Sequence, residues 1–153
     1  MELIDQFYTA FQQKDYRGMQ KLYHVDAVFR DPVFQRLTSE EVKAMWEMLL
    51  TQARDLDVSY QSVTANDHRG NCHWKAKYKF SKTGRPVHNI IEASFQFKDG
   101  LIYRHHDAFD LWRWSRQALG LSGLLLGWSP LVQNKIRRTA RTSLDKFMAK
   151  NKS

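Results

Sequence analysis

The sequence predicts an α+β fold in which a curved, mainly antiparallel sheet carries its helices on one side. Three observations point there. The apolar period is helical up to about residue 53, it then changes to two over four long runs, and turn-forming residues separate those runs. With 153 residues, 42% of them hydrophobic, the chain suits one domain with a single core.

Leu3, Ile4, Phe7, Tyr8 and Phe11 fall at helical spacing, and Asp15 stands where an N-cap opens a second short helix with Met19, Leu22 and Tyr23 inward. Ala27–Arg30 is a short strand. Pro32 lacks a backbone donor, so the Asp31-Pro32 step marks a strand edge or bend and exposes Asp31. Thr38-Ser39-Glu40-Glu41 matches a capping box ahead of Val42, Met45, Trp46, Leu49, Leu50 and Ala53, which predicts a helix. Leu56, Val58 and Tyr60 then alternate with polar residues, as do Cys72, Trp74, Ala76, Tyr78 and Phe80 with His73, Lys75, Lys77 and Lys79. Runs over Val87–Phe97 and Leu101–Phe109 follow, joined by the hairpin signal Lys98-Asp99-Gly100. From Leu111 the pattern is helical again until about Gly120. Pro130 suits the first turn of a last helix, in which Leu131, Val132, Ile136, Ala140, Leu144, Phe147 and Met148 form an apolar stripe opposite the basic residues.

Two strands place polar groups in apolar company. Asn89 shares its parity with Ile91, Ala93, Phe95 and Phe97, the expected inner face, where it needs hydrogen-bond partners. His105 and Asp107 share theirs with Leu101, Tyr103 and Phe109. A carboxylate beside an imidazole fixes its tautomer, and an apolar wall raises an aspartate's pKa toward the range useful for proton transfer. The pair is a candidate for acid/base chemistry, with a satisfied structural pair beneath the helices as the alternative. Tyr23, Trp46, Trp74, Tyr78 and Asn89 are candidate walls of a ligand pocket, although aromatics at strand or helix spacing are more often plain core. The remaining histidines are scattered and no His/Cys spacing matches a zinc signature, so no metal is expected. No phosphate-binding glycine loop or nucleophile elbow occurs, and no cofactor is expected.

The formal net charge is +8. Residues 135–153 carry Lys135, Arg137, Arg138, Arg141, Lys146, Lys150 and Lys152 against Asp145 alone, so the excess lies in the last helix and the body is close to neutral. Nucleic acid is not an expected partner, and contact of that basic helix with an anionic surface is a third reading behind a small-molecule ligand and a homodimer. Cys72 is the single cysteine, which excludes an intrachain disulfide. The N-terminus lacks the basic stretch of a secretory signal and no apolar tract is long enough to span a bilayer, so a cytoplasmic location is expected.

Asp15-Tyr16-Arg17-Gly18, Leu22-Tyr23, Asp26-Ala27-Val28-Phe29, Asp31-Pro32-Val33 and the later Gly84-Arg85 and Phe95-Gln96-Phe97 with Asp99-Gly100 resemble the nuclear transport factor 2-like superfamily, in its SnoaL-like and ketosteroid isomerase-like branch. The resemblance covers roughly Leu3–Asp110. It implies a cone-shaped, curved mixed sheet, mostly antiparallel, wrapped around N-terminal helices, here over residues 1–110, with residues 111–153 as a C-terminal helical extension packed on the same domain. It also implies a homodimer and a hydrophobic small-molecule ligand. In ketosteroid isomerases the aspartate of an Asp-Pro step moves the proton, and Asp31 stands at that position, while Phe7 and Ala93 stand where the family has its two oxyanion donors. In the polyketide cyclases a late-strand aspartate is the acid/base, a place Asp107 resembles, with His105 beside it. The resemblance thus makes Asp31, His105 and Asp107 the expected catalytic residues, acting on protons of a carbonyl compound, with a non-catalytic binding or dimerisation module as the alternative. The dimer face is expected on the outer sheet surface, around Trp74 or its lysine-rich opposite.

Overall fold

The structure is a computed structural model and describes residues 2–151. Helices α1 (Glu2–Gln12) and α2 (Tyr16–Gln20) lead into β1 (Tyr23–Arg30); β2 (Leu37–Thr38) and α3 (Ser39–Gln52) follow. The long strands are β3 (Arg54–Ala65), β4 (Arg69–Lys79), β5 (Pro86–Lys98) and β6 (Leu101–Ala108). Three helices close the chain: α4 (Leu111–Leu119), α5 (Leu121–Leu126) and α6 (Pro130–Asn151). The strands form one mixed sheet in the order β2-β1-β6-β5-β4-β3, in which β1 runs parallel to β6 and every other pair is antiparallel. The result is the expected curved, unclosed sheet wrapped around N-terminal helices.

Local chemistry explains most boundaries. The Asp15 carboxylate accepts the Gly18 N–H at 2.9 Å and caps α2, and Thr38 with Glu41 forms the capping box of α3. At the β5–β6 hairpin Asp99 and Gly100 take φ of 55° and 73°, the two left-handed residues that a tight turn between right-twisted strands demands. The bend of the sheet has a cause in β3. Its pairing with β4 slips between Arg54 and Asp57 and again between Gln61 and Thr64, and each bulge holds a left-handed residue, Asp55 at 57° and Ser62 at 58°.

Several expectations need correction. Tyr23 is not on a second helix; α2 ends at Gln20, and the Leu22 carbonyl accepts from Ile102 N–H at 2.8 Å as Tyr23 begins the parallel pairing with β6. Pairing with a central strand outweighs the local helical spacing. Trp74 lies on the inner face and is buried, so the outer surface is the Lys75, Lys77 and Lys79 side alone. Leu121–Leu126 is helical, and Leu131, expected within the apolar stripe of α6, is 74% exposed. Asp31 is half-buried rather than exposed.

The core is aromatic. Ile4, Phe7, Tyr8 and Phe11 of α1 lie in the concave side of the sheet against Trp46, Trp74 and Phe95. Each such side chain contributes about 1.5–3 kcal/mol through burial, with edge-to-face geometry adding about 0.5–1.5 kcal/mol per pair. Helix α6 lies on α3 through the fully buried Leu144, an Arg141–Glu41 ion pair and a bond from Asn151 to Glu47 at 3.0 Å. It also reaches the Asp31-Pro32 step, where Arg137 Nε donates to the Pro32 carbonyl at 2.9 Å.

Candidate functional site

Strands β1 and β6 run side by side with Phe29 opposite His105 and Arg30 opposite His106. Asp31 follows β1 directly, near enough to the end of β6 for the charge of Asp107 to act on its carboxyl. The three residues singled out for acid/base chemistry therefore converge at one end of the β1–β6 pair.

His105 is held at both ring nitrogens. Tyr23 Oη lies 2.8 Å from Nδ1, and Asp107 Oδ1 lies 2.9 Å from Nε2. Trp46 Nε1 donates to Tyr23 Oη at 2.9 Å, and Trp74 Nε1 donates to Asp107 Oδ1 at 3.3 Å. Indole nitrogens can only donate, so the chain of bonds has a direction. Tyr23 accepts from Trp46, and in the tautomer in which Nε2 donates to the Asp107 carboxylate, Nδ1 accepts from the Tyr23 hydroxyl. Burial pushes the Tyr23 phenol well above its ordinary value, against the opposing bond from Trp46, and so keeps that proton in place. Every member of the set is buried, and Phe29 and Phe95 pack against the imidazole with ring centroids 4.9 and 4.3 Å away.

Asp31 differs from this closed group. Its Oδ1 accepts from the Val33 N–H at 2.8 Å and the Phe34 N–H at 2.6 Å, a turn whose entry Pro32 stiffens. Among the described residues Oδ2 has no hydrogen-bond partner. Burial raises the carboxyl to about 7, the charge of Asp107 raising it further and the two backbone bonds holding it down.

The expected pocket wall divides. Tyr23, Trp46 and Trp74 join His105 and Asp107 as hydrogen-bond donors or acceptors, a role the residue pattern did not disclose because it depends on contacts between distant strands and a helix. Tyr78 belongs to another contact, its hydroxyl accepting from Trp114 of α4 at 2.8 Å. Asn89 is half-buried on the inner parity, opposite Ala76. One residue was missed. The Tyr8 hydroxyl is fully buried with the Cys72 thiol as a polar neighbour, and burial, then the charge of Asp107, then the charge and hydrogen bond of that thiol hold it well above the usual phenol range. A phenol within the otherwise apolar face of α1 was the available signal. Phe7 and Ala93, at the positions of the isomerase donors, are both buried, and Phe7 makes ring contacts with Tyr8, Phe11, Tyr23, Trp46, Phe95 and His105.

Solved structures share the fold. An epoxide hydrolase of the LEH-like type from M. tuberculosis superposes with a TM-score of 0.65 at 17% identity, covering 82% of this chain and 94% of its own. A hypothetical protein with a ketosteroid isomerase-like fold from Catenulispora acidiphila, in complex with trimethylamine, reaches 0.69 at 13% identity, covering 84% and 98%. IdmH from Streptomyces antibioticus, a candidate polyketide cyclase, reaches 0.64 at 20% identity, covering 78% and 97%. No curated protein matches the chain by sequence. The SnoaL-like domain profile matches residues 4–105, from the first buried residue of α1 to the histidine of the buried network, and the chain thus belongs to the SnoaL-like domain family.

Proposed function

We propose that the protein binds a hydrophobic carbonyl compound and moves a proton on it, with Asp31 as the exchanging group. The observation that carries this reading is a carboxyl raised to about 7 with one oxygen tied to the backbone and the other without a partner. Such a group is half ionised at neutral pH, where a general acid/base works best, a role worth about 10²–10⁴-fold in rate. Oδ2 takes the proton from a carbon next to the carbonyl and returns it at a second position. His105 and Asp107 act here as positioning residues, because both imidazole nitrogens are already bonded; Asp107 also holds Asp31 high through its charge. The buried Tyr8 phenol, whose polar neighbour is the weakly bonding Cys72 thiol, is the donor we assign to a ligand oxygen in place of the groups absent at Phe7 and Ala93. The likeness to a ketosteroid isomerase-like protein and to a candidate polyketide cyclase supports the chemical class.

The test is deuterium incorporation from D₂O into a panel of hydrophobic ketones and enones, followed by NMR. Exchange that rises with pH about a midpoint near 7 and drops at least about 10²-fold in Asp31→Asn supports the proposal. Exchange unchanged in that variant refutes it. A second reading, a non-catalytic ligand-binding module or a homodimer of this fold, is favoured by the ring of Phe7 filling the place of a donor. Saturable ligand binding with no exchange at any pH selects it.

A further inference from the structure

Outside the concave site, the apolar surface is concentrated in one place. Leu121, Leu124, Leu125 and Leu126 of α5, with Trp128 and Leu131 at the start of α6, are between 47% and 74% exposed. They follow one another in a short segment, so they form one patch and not scattered surface leucines. The indole N–H of Trp128 is turned back onto the Leu125 carbonyl at 2.9 Å, which satisfies the polar atom and leaves the ring body outward.

The chain on either side of this patch carries charge of a single sign. From Leu111 to Leu144 the chain contains Arg113, Arg116, Lys135, Arg137, Arg138 and Arg141 and no acidic residue. Arg137 and Arg141 are engaged with Pro32 and Glu41, but Arg113, Lys135 and Arg138 are exposed and in no ion pair among the described residues. A cleft beside α6 joins Arg138 to two further cations, Lys82 and Lys146, and to the hydroxyls of Thr139, Thr142 and Ser143. The turn that carries Lys82 is tied to the end of α4, Thr83 Oγ1 donating to the Ala118 carbonyl at 2.5 Å, directly before the leucines of α5 begin.

We infer that α5 and the first turn of α6 dock on a bilayer containing anionic phospholipid, the leucines and Trp128 entering the interface and the cations meeting the headgroups. Apolar side chains with an aromatic ring, rimmed by Lys and Arg, are what an interfacial segment presents. Neither α5, with six residues, nor the charged α6 can span, and no helix among the described residues is long and apolar enough to cross a membrane. A second copy of the chain is the poorer occupant. A two-fold contact through the patch would bring two rims of the same sign together, since no acidic residue lies between Leu111 and Leu144 to answer Arg113, Lys135 and Arg138. This inference stands independently of the proton-transfer reading.

The experiment is co-sedimentation of the full chain with phosphatidylcholine vesicles, with and without phosphatidylserine as a third of the lipid. Binding is expected to the anionic vesicles and to weaken at about 0.5 M salt, where screening shortens to a few Å. The variant L121D/L131D places both new carboxylates at helix N-termini, where they suit the helix dipole, so the fold and its melting temperature are kept. A loss of binding of at least tenfold is expected for it, and likewise for K135E/R138E. Equal binding to neutral vesicles, or undiminished binding by both variants, overturns the inference. So does a dimer that L121D/L131D turns into a monomer, which would assign the patch to a second copy. Full displacement of the protein from vesicles by inorganic phosphate at constant ionic strength would assign the cleft to free phosphate and also overturn it.

Discussion

Replacing Asp31 with asparagine removes the charge that burial opposes and keeps an oxygen for the Val33 and Phe34 N–H groups. The carboxyl is raised from 3.8 to about 7 in the folded protein. A carboxyl raised by folding is stabilising while it stays protonated: below the ordinary value both states hold the proton, and between 3.8 and about 7 only the folded state does. The unfolded state binds fewer protons in that window, so stability falls as pH rises through it, by about 1.4 kcal/mol per pH unit, and levels off above 7. The interval sets a ceiling of about 4 kcal/mol, and solvent reaching the half-buried carboxyl brings the expectation to about 2–4 kcal/mol. Urea unfolding of wild type and Asp31→Asn at steps from pH 4 to pH 9 measures it. The variant should gain on wild type steadily up to about pH 7, keep that gain above it, and be the more stable protein at pH 8. A difference that stays flat with pH, or a variant less stable than wild type at pH 8, would refute the reasoning that burial governs Asp31.

The buried network yields further outcomes. Asp107→Leu leaves the His105 Nε2–H and the Trp74 indole without an acceptor and should cost about 2–4 kcal/mol by urea unfolding, while Asp107→Asn, which keeps an oxygen, should cost less than half of that. Trp46→Phe retains a ring against Phe11 but removes the donor to Tyr23 and should lower stability by about 1–3 kcal/mol, measured the same way. Gly123→Ala would drive its Cβ into the Ser115 carbonyl, so α5 should detach from α4 and its amides exchange with solvent faster, with little change in β4 and β5.

Much of the fold can be read from local chemistry, because the elements that carry it are locally determined. The Thr38–Glu41 capping box, the Asp99-Gly100 turn and the change of apolar period each act over a few residues, and the structure has all three. The bulges of β3 could not be read that way. Asp55 and Ser62 take left-handed conformations with no glycine to announce them, and only the pairing with β4 imposes the slip. Tyr23 fails for a similar reason: its helical spacing with Met19 is real, but a parallel partner elsewhere in the chain captures it as strand. At the site, parity places His105 and Asp107 on one inner face. The groups that complete them, Tyr23, Trp46 and Trp74, come from β1, α3 and β4, and no periodicity links them. Tyr8 sits among apolar neighbours on α1, where its phenol is visible in the sequence but spacing alone does not say that the fold buries the hydroxyl beside Cys72.

The account rests on Asp31 exchanging a proton near neutral pH. A titration of its side-chain carboxyl carbon by ¹³C NMR, assigned by difference from Asp31→Asn, measures this directly. The structure predicts a midpoint of about 7 that falls when Asp107 is replaced by asparagine, since the Asp107 charge is one of the causes that raise it. A midpoint near the ordinary 3.8, indifferent to Asp107, would contradict the account.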